Sequence, residues 1–261
     1  MSDHSALPSD ALVLTVQQVI PATPTTRIVR LDLGGAPFSF EAGQAALIGP
    51  AEQDARIPYS IASAPIETLE NGWLDFLIKV EPTGRWGHRF DTLASGMHLG
   101  IQGPFGAFMF PVQPPERHFL FIAGGTGIAP IRAMIRQALL RRQEGRMRLL
   151  YSAKTADDFA YLPELGELAS LQRLDGGLDL RLHVTREAPD TRHPAPSTPL
   201  GPGPTLSKVE RGRITPSQLA PLIDDAATLC FVCGPETMVA DVPRMLVELG
   251  IDRARVRVEE W

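Results

Sequence analysis

The spacing of apolar residues changes near position 112, and one layer of secondary structure cannot accommodate both patterns. Before that point the chain reads as short strands. In Arg27–Leu33, Val29, Leu31 and Leu33 share one parity while Ile28, Arg30 and Asp32 share the other, as in a half-buried strand. Leu12–Ile20, Ala45–Ile48, Ile57–Ser63, Trp73–Val80 and His98–Gln102 fit the same description. Gly34-Gly35, Gly49-Pro50, Asn71-Gly72 and Gly103-Pro104 punctuate them. Many short strands and at most one short helix predict an antiparallel β-barrel over residues 1–112. Pro111, Pro114 and Pro115 mark a linker.

Beyond the linker, apolar runs alternate with helical patterns. The runs are Phe119–Ala123, Arg148–Ser152, Leu178–Val184, Thr228–Cys233 and Arg255–Val258. Helical spacing covers Ala129–Gln143, Leu162–Leu171, Pro216–Ile223 and Glu236–Leu249. This predicts an α/β unit over residues 116–261, with a parallel five-stranded sheet covered on both faces. Pro189–Pro204 holds six prolines and two glycines and reads as an exposed loop within that unit.

Composition narrows the function classes. A net charge of -5 without a basic stripe argues against a nucleic-acid partner. No apolar run approaches the roughly 18 residues of a membrane helix. Met1–Asp10 has neither the basic start nor the apolar stretch of a secretion signal. The two cysteines, Cys230 and Cys233, are too few for a disulfide framework or a four-cysteine iron–sulfur cluster. A cytoplasmic protein is expected.

In open parallel sheets, ligands bind beyond the carboxyl ends of the strands. Gly124-Gly125-Thr126-Gly127-Ile128-Ala129-Pro130 follows the first strand of the second half. Glycines there let a diphosphate approach the backbone, a helix start supplies amides, and Pro130 suits a first helical turn. A plain glycine turn is the alternative. Cys233-Gly234-Pro235 follows the fourth strand. Its C-x-x-C spacing with Cys230 does not make a redox pair. Three strand steps separate the Cα atoms by about 10 Å, beyond the ~7 Å a disulfide spans, and the side chains face opposite ways. Cys230 reads as a core residue; Cys233 is open to either packing or function. In the first half, Arg56 precedes Tyr59-Ser60, and Gly84-Arg85-Trp86-Gly87-His88 offers a second phosphate turn or an ordinary capped turn.

Taken together, these motifs resemble those of the ferredoxin–NADP reductase superfamily over nearly the whole chain. Gly124–Pro130 and Cys233–Pro235 are the most specific, with Gly43-Gln44, Gly103-Pro104-Phe105-Gly106 and Gly212-Arg213 as further landmarks. The resemblance implies a two-domain flavoprotein: an FAD-binding antiparallel β-barrel followed by an NAD(P)-binding α/β domain. FMN is the fallback flavin. Tyr59 would stack on the flavin ring and Ser60 would bond near its N5, with Ser63 close by. Arg56, Gly84, Gly87 and His88 would hold its phosphates. Gly124, Gly125, Thr126, Gly127 and Pro130 would cradle the nicotinamide nucleotide, with Gly234 and Pro235 across from them. Cys233 would lie beside the nicotinamide, Glu259 near the flavin, and Trp261 over it. Ser60, Cys233 and Glu259 are the candidate catalytic positions.

The implied activity is hydride transfer from NADPH or NADH to FAD, then electron delivery to a separate acceptor protein such as a ferredoxin, a flavodoxin or an oxygenase component. A flavin reductase, or a nucleotide-binding subunit of a larger redox complex, fits the same motifs. Lys154, after the second strand of the sheet, tilts the coenzyme toward NADPH. Arg132, Arg136, Arg141, Arg142, Arg146 and Arg148 form a basic run, read either as a solvated helix face or as an acceptor dock.

Overall fold

The computed structural model describes residues 11–53, 56–80, 92–171, 177–186 and 209–260. It divides into two compact units: Met1–Pro111 with Ala129–Arg142, and Val112–Ile128 with Gln143–Trp261. Gly84, Gly87, His88, Trp261 and the Pro189–Pro204 loop lie outside the described residues.

The first unit is built on β1 (Leu12–Thr23), β2 (Thr26–Asp32), β3 (Ala45–Pro50), β4 (Ile57–Ser60), β5 (Trp73–Lys79) and β6 (His98–Phe105). All pairings are antiparallel, in the order β4-β3-β6-β1-β2-β5. A bridge between Ile61 and Phe76 joins the two ends of this order, closing the sheet into the expected barrel. Alternation fills the interior: Val29 and Leu31 from β2 meet Leu74, Phe76 and Ile78 from β5, all buried. The outer face of β5 is buried too, at Asp75 and Leu77.

A short helix, α1 (Pro65–Asn71), precedes β5. The Asn71-Gly72 pair, expected as a turn between strands, is its C-terminal cap. Gly72 adopts φ 74° and its N–H donates to the Thr68 carbonyl. At the other end Pro65 occupies the first turn, and the Glu67 carboxylate accepts from Ala64 N at 2.8 Å.

The second unit holds β7 (His118–Gly124), β8 (Arg146–Ala153), β9 (Leu178–Val184), β10 (Val209–Arg211), β11 (Leu229–Gly234) and β12 (Val256–Glu260). They form a parallel sheet in the order β10-β9-β8-β7-β11-β12. Among the described residues the sheet has six strands, not five. β10 is three residues long and carries one apolar side chain, so it lacks the hydrophobic run that marks the others. The helices are α2 (Ile128–Leu140), α3 (Leu162–Ser170), α4 (Pro216–Leu219) and α5 (Glu236–Glu248). α2 lies almost wholly within the first unit. On one face of the sheet, Ile122, Leu150, Cys230 and Val232 pack with Leu219, Leu222, Val242 and Leu246. Burying a leucine such as Leu246 stabilises the fold by about 1.5–3 kcal/mol. Among the described residues no helix is long and apolar enough to cross a membrane.

Candidate functional site

Successive strands run outward from β7 through β8 and β9 in one direction, whereas β11 and β12 lie on its other side. The order therefore reverses between β7 and β11. At such a switch point the two neighbouring loops diverge and leave a crevice for a ligand. The loops that flank this point are the glycine loop after β7 and Cys233-Gly234-Pro235 after β11.

Close backbone packing explains the glycines. A Cβ on Gly127 would collide with the Cys233 carbonyl, while one on Gly234 would lie 3.2 Å from Gly124 Cα and 2.8 Å from Met238 Sδ. Gly125 differs. It is exposed, with φ 55°, and nothing lies within 4 Å of the place a Cβ would take. Gly125–Gly127 forms a single 3-10 turn that runs into α2, with Pro130 buried in the first helical turn. An open glycine at the start of a 13-residue helix fits a diphosphate, because the helix start offers unpaired amides and positive potential.

Register sets the carboxyl-edge residues side by side. Cys233 pairs with Ala123 on β7 and with Glu259 on β12, so these three side chains share one face. Two residues earlier, Phe231 stacks on Phe121 at 5.3 Å between centroids. Cys230 faces the opposite side within the apolar cluster, where burial pushes its thiol up to about 12. The two thiols are not joined. Cys233 is fully buried, so it can shape a wall of the site but presents no surface.

Lys154 is exposed after β8, and the backbone brings further basic residues to the same edge of the sheet, which the sequence reading did not connect to it. Arg186 N donates to the Lys154 carbonyl at 2.9 Å. Arg211 stands opposite Val184, and Gly212 N donates to the Val184 carbonyl at 3.0 Å. Lys154, Arg186, Arg211 and Arg213 are all exposed at this edge.

Behind that edge sits His183, fully buried on β9. Gln218 Oε1 accepts from Thr215 N and Oγ1, so Gln218 Nε2 donates to His183 Nε2 at 3.1 Å. His183 is therefore the Nδ1–H tautomer. Burial, outweighing Glu210 and Gln218, pulls its pKa below the ordinary histidine value. A single histidine in an apolar run carries no sequence signal for this role.

In the first unit, Tyr59 is half-buried against the barrel core, and burial pushes its phenol up to about 12. Ser60 is buried opposite Ala45. The Arg56 guanidinium lies over Gly100 of β6, where a Cβ would stand 2.8 Å from Nη2. A neutral aromatic ring and a cation flanking β4 fit a flavin and its phosphate. Ser63 does not fit a flavin ligand. It is fully buried, and its Oγ accepts from Thr68 Oγ1 at 3.1 Å and from Asp75 N at 3.2 Å. Gln44, a landmark with Gly43, is a structural brace: its carbonyl accepts from Ile61 N, and its side chain bonds to Glu41 N and the Gly106 carbonyl.

The basic run is mostly neutralised. Arg132 and Arg136 pair with Glu67 at 3.1 and 2.5 Å, while Arg146 and Arg148 pair with Asp224 at 3.3 and 2.9 Å.

Two family models match consecutive parts of the chain, the oxidoreductase FAD-binding domain over residues 13–110 and the oxidoreductase NAD-binding domain over residues 121–244. The chain belongs to the ferredoxin–NADP reductase superfamily: it is an oxidoreductase whose cofactors are FAD and NAD(P)H. A relative named ferredoxin–NADP reductase B, from Sorangium cellulosum, is 29% identical over 98% of this chain and 98% of its own length. Oxidoreductase NAD-binding domain-containing protein 1 from Danio rerio is 27% identical over 94% of this chain and 90% of its own. The fold is shared with a ferredoxin–NADP+ reductase from Neisseria gonorrhoeae with bound FAD and NADP, at a TM-score of 0.75 and 18% identity, covering 97% and 99% of the two chains.

Proposed function

We propose that this protein oxidises NADPH, passes the hydride to its FAD, and delivers the electrons to a separate acceptor protein. The observation that carries the choice of coenzyme is the cluster of Lys154, Arg186, Arg211 and Arg213 at the carboxyl edge of β8–β10. A 2′-phosphate needs cations at this end of the nucleotide, and an isolated lysine would supply one. The relative named as a ferredoxin–NADP reductase supports both the coenzyme and a ferredoxin-type acceptor.

When bound, the flavin supplies two-electron acceptance and one-electron release, chemistry no side chain here provides. The chain's own residues position. Gly125, Thr126 and Gly127 hold the diphosphate, with Gly124 and Gly234 keeping the crevice narrow. Cys233, which presents no surface, would back the nicotinamide site from beneath, and Glu259 would supply an acidic group one strand away. Tyr59 offers a ring that stays protonated at neutral pH, Ser60 offers a hydroxyl to the flavin, and Arg56 offers a charge to its phosphates. Holding reactants in near-attack geometry accounts for most of the rate such a site provides.

The test is a visible spectrum of the purified protein followed by anaerobic titration with NADPH and NADH. Flavin bleaching by NADPH at lower concentration than by NADH is expected. Equal response to both removes the assignment of the cationic cluster, and a colourless protein that FAD does not reconstitute defeats the reading as a whole.

A further inference from the structure

Two residues of the second unit hold left-handed backbone conformations on either side of one buried side chain. Gly125 has φ 55° and Tyr161, at the start of α3, has φ 59°. For tyrosine this conformation is disfavoured by the crowding of its Cβ, so the surrounding structure must impose it. The side chain between them is Tyr151, fully buried on β8 and packed edge-on against Phe159 at 5.0 Å. Its hydroxyl donates to the Gly125 carbonyl at 3.2 Å and accepts from Ala160 N at 3.1 Å. Burial pushes its pKa well above the ordinary phenol value, so it remains a donor throughout the working pH range.

Peptide geometry gives this bond a consequence. In a trans peptide the C=O and N–H point in opposite directions. Drawing the Gly125 carbonyl inward to Tyr151 turns the N–H of the same peptide, carried by Thr126, outward on the exposed side of the loop. The Ile128 N–H is shared between that carbonyl and the Thr126 carbonyl, a second tie on the same turn.

We propose that Tyr151 is a positioning residue for the coenzyme: its hydroxyl orients the Gly125–Thr126 peptide so that the Thr126 N–H meets the diphosphate, and ties that loop to the Ala160–Tyr161 turn. The proposal rests on the reading of Gly125–Gly127 as the diphosphate cradle.

The test is Tyr151→Phe, which removes one oxygen and keeps the ring. Calorimetric titration of the flavin-loaded protein with NADP+ should show affinity lowered about threefold to tenfold, the worth of one hydrogen bond. Affinity for adenosine 2′-monophosphate, which lacks the diphosphate, should stay within about twofold. In turnover, the KM for NADPH should rise while kcat holds, with an unchanged flavin spectrum. Equal losses for both ligands would make the hydroxyl merely structural and overturn the proposal, as would unchanged NADP+ affinity. Amide exchange in the wild-type protein gives an answer independent of any variant: NADP+ should slow exchange at Thr126 and adenosine 2′-monophosphate should not, and exchange indifferent to NADP+ overturns the proposal. Gly125→Ala separates the two levels. If it binds NADP+ as tightly as wild type, the cradle reading itself fails; if it binds weakly while Tyr151→Phe binds normally, only the Tyr151 assignment fails.

Discussion

The cradle at the ends of β7 and β11 and the clamp beside β5 are built in opposite ways. The cradle is made by leaving side chains out, with Gly124, Gly127 and Gly234 letting two backbone segments touch. The clamp is made of charges taken out of water. Glu67 accepts from Ala64 N at 2.8 Å, Arg132 at 3.1 Å and Arg136 at 2.6 Å, and Arg132 also donates to the Ala62 carbonyl at 2.7 Å. Arg30 grips Asp75 through two bonds of 2.9 and 2.8 Å and lies 3.7 Å from the centre of the Trp73 ring. Burial pushes the Glu67 carboxyl up, but Arg132, the Ala64 amide and Arg136 outweigh it and hold the carboxyl below its usual range. The lesson is that close backbone packing at the proposed cradle and charge pairing in the scaffold answer to different physics. The cradle should respond to volume and hardly to charge, the clamp to charge and hardly to volume.

The sharpest break comes from Glu67→Ala, which leaves Arg132 buried without its carboxylate. A loss of about 3–5 kcal/mol in unfolding free energy is expected. A urea-denaturation loss below 1 kcal/mol would mean that solvent compensates and the clamp idea is wrong. Gly127→Ala comes next, at about 1–3 kcal/mol from overpacking against the Cys233 carbonyl. Nucleotide affinity should collapse while flavin content stays normal; normal NADP+ binding would show that the loop has room. Gly125→Ala should be milder, about 1 kcal/mol, because only its left-handed backbone objects. Its stability can be read from the same urea curves, and a loss rivalling that of Gly127→Ala would erase the distinction between open and packed glycines.

The smallest effect is pH-dependent. His183 titrates below its unfolded value of 6.5. The unfolded chain therefore binds the extra proton first, and the His183 contribution is intact above pH 6.5 and declines as pH falls below it. Glu67, also depressed, behaves the same way in a more acid window beginning near its unfolded 4.5. In His183→Asn the slope of stability against pH just below 6.5 should flatten; an unaltered slope would assign it to another group.

How much of this was legible in the sequence followed the same division. The close approach of the two loops proposed as a cradle could be read because glycine and proline are local signals, and Gly124–Pro130 and Cys233–Pro235 carry theirs within a few residues. The barrel strands could be read from alternation. The clamp could not, because Glu67 and Arg132 stand 65 residues apart and no local pattern around either announces the pairing. α1 did carry a signal, Pro65 with Glu67, which the competing turn signal of Asn71-Gly72 obscured. The cationic edge was hidden because Arg186 and Arg211 are brought together by the pairing of β10 with β9, and β10 is too short to betray itself. Tyr151 looked like one more apolar strand residue, since only its hydroxyl distinguishes it.

The two units are not two lengths of chain. Residues Ala129–Arg142 belong with the barrel although they are threaded between parts of the sheet unit. The chain therefore passes from one unit to the other three times, after Pro111, Ile128 and Arg142. Anyone assembling chimeras by joining a barrel from one relative to a sheet from another at residue 111 would exchange Arg132 and Arg136 while keeping Glu67. Recombination would sever a salt-bridged cluster that a domain diagram shows as intact. A workable graft would carry α2 along with the barrel, with seams on both sides of it.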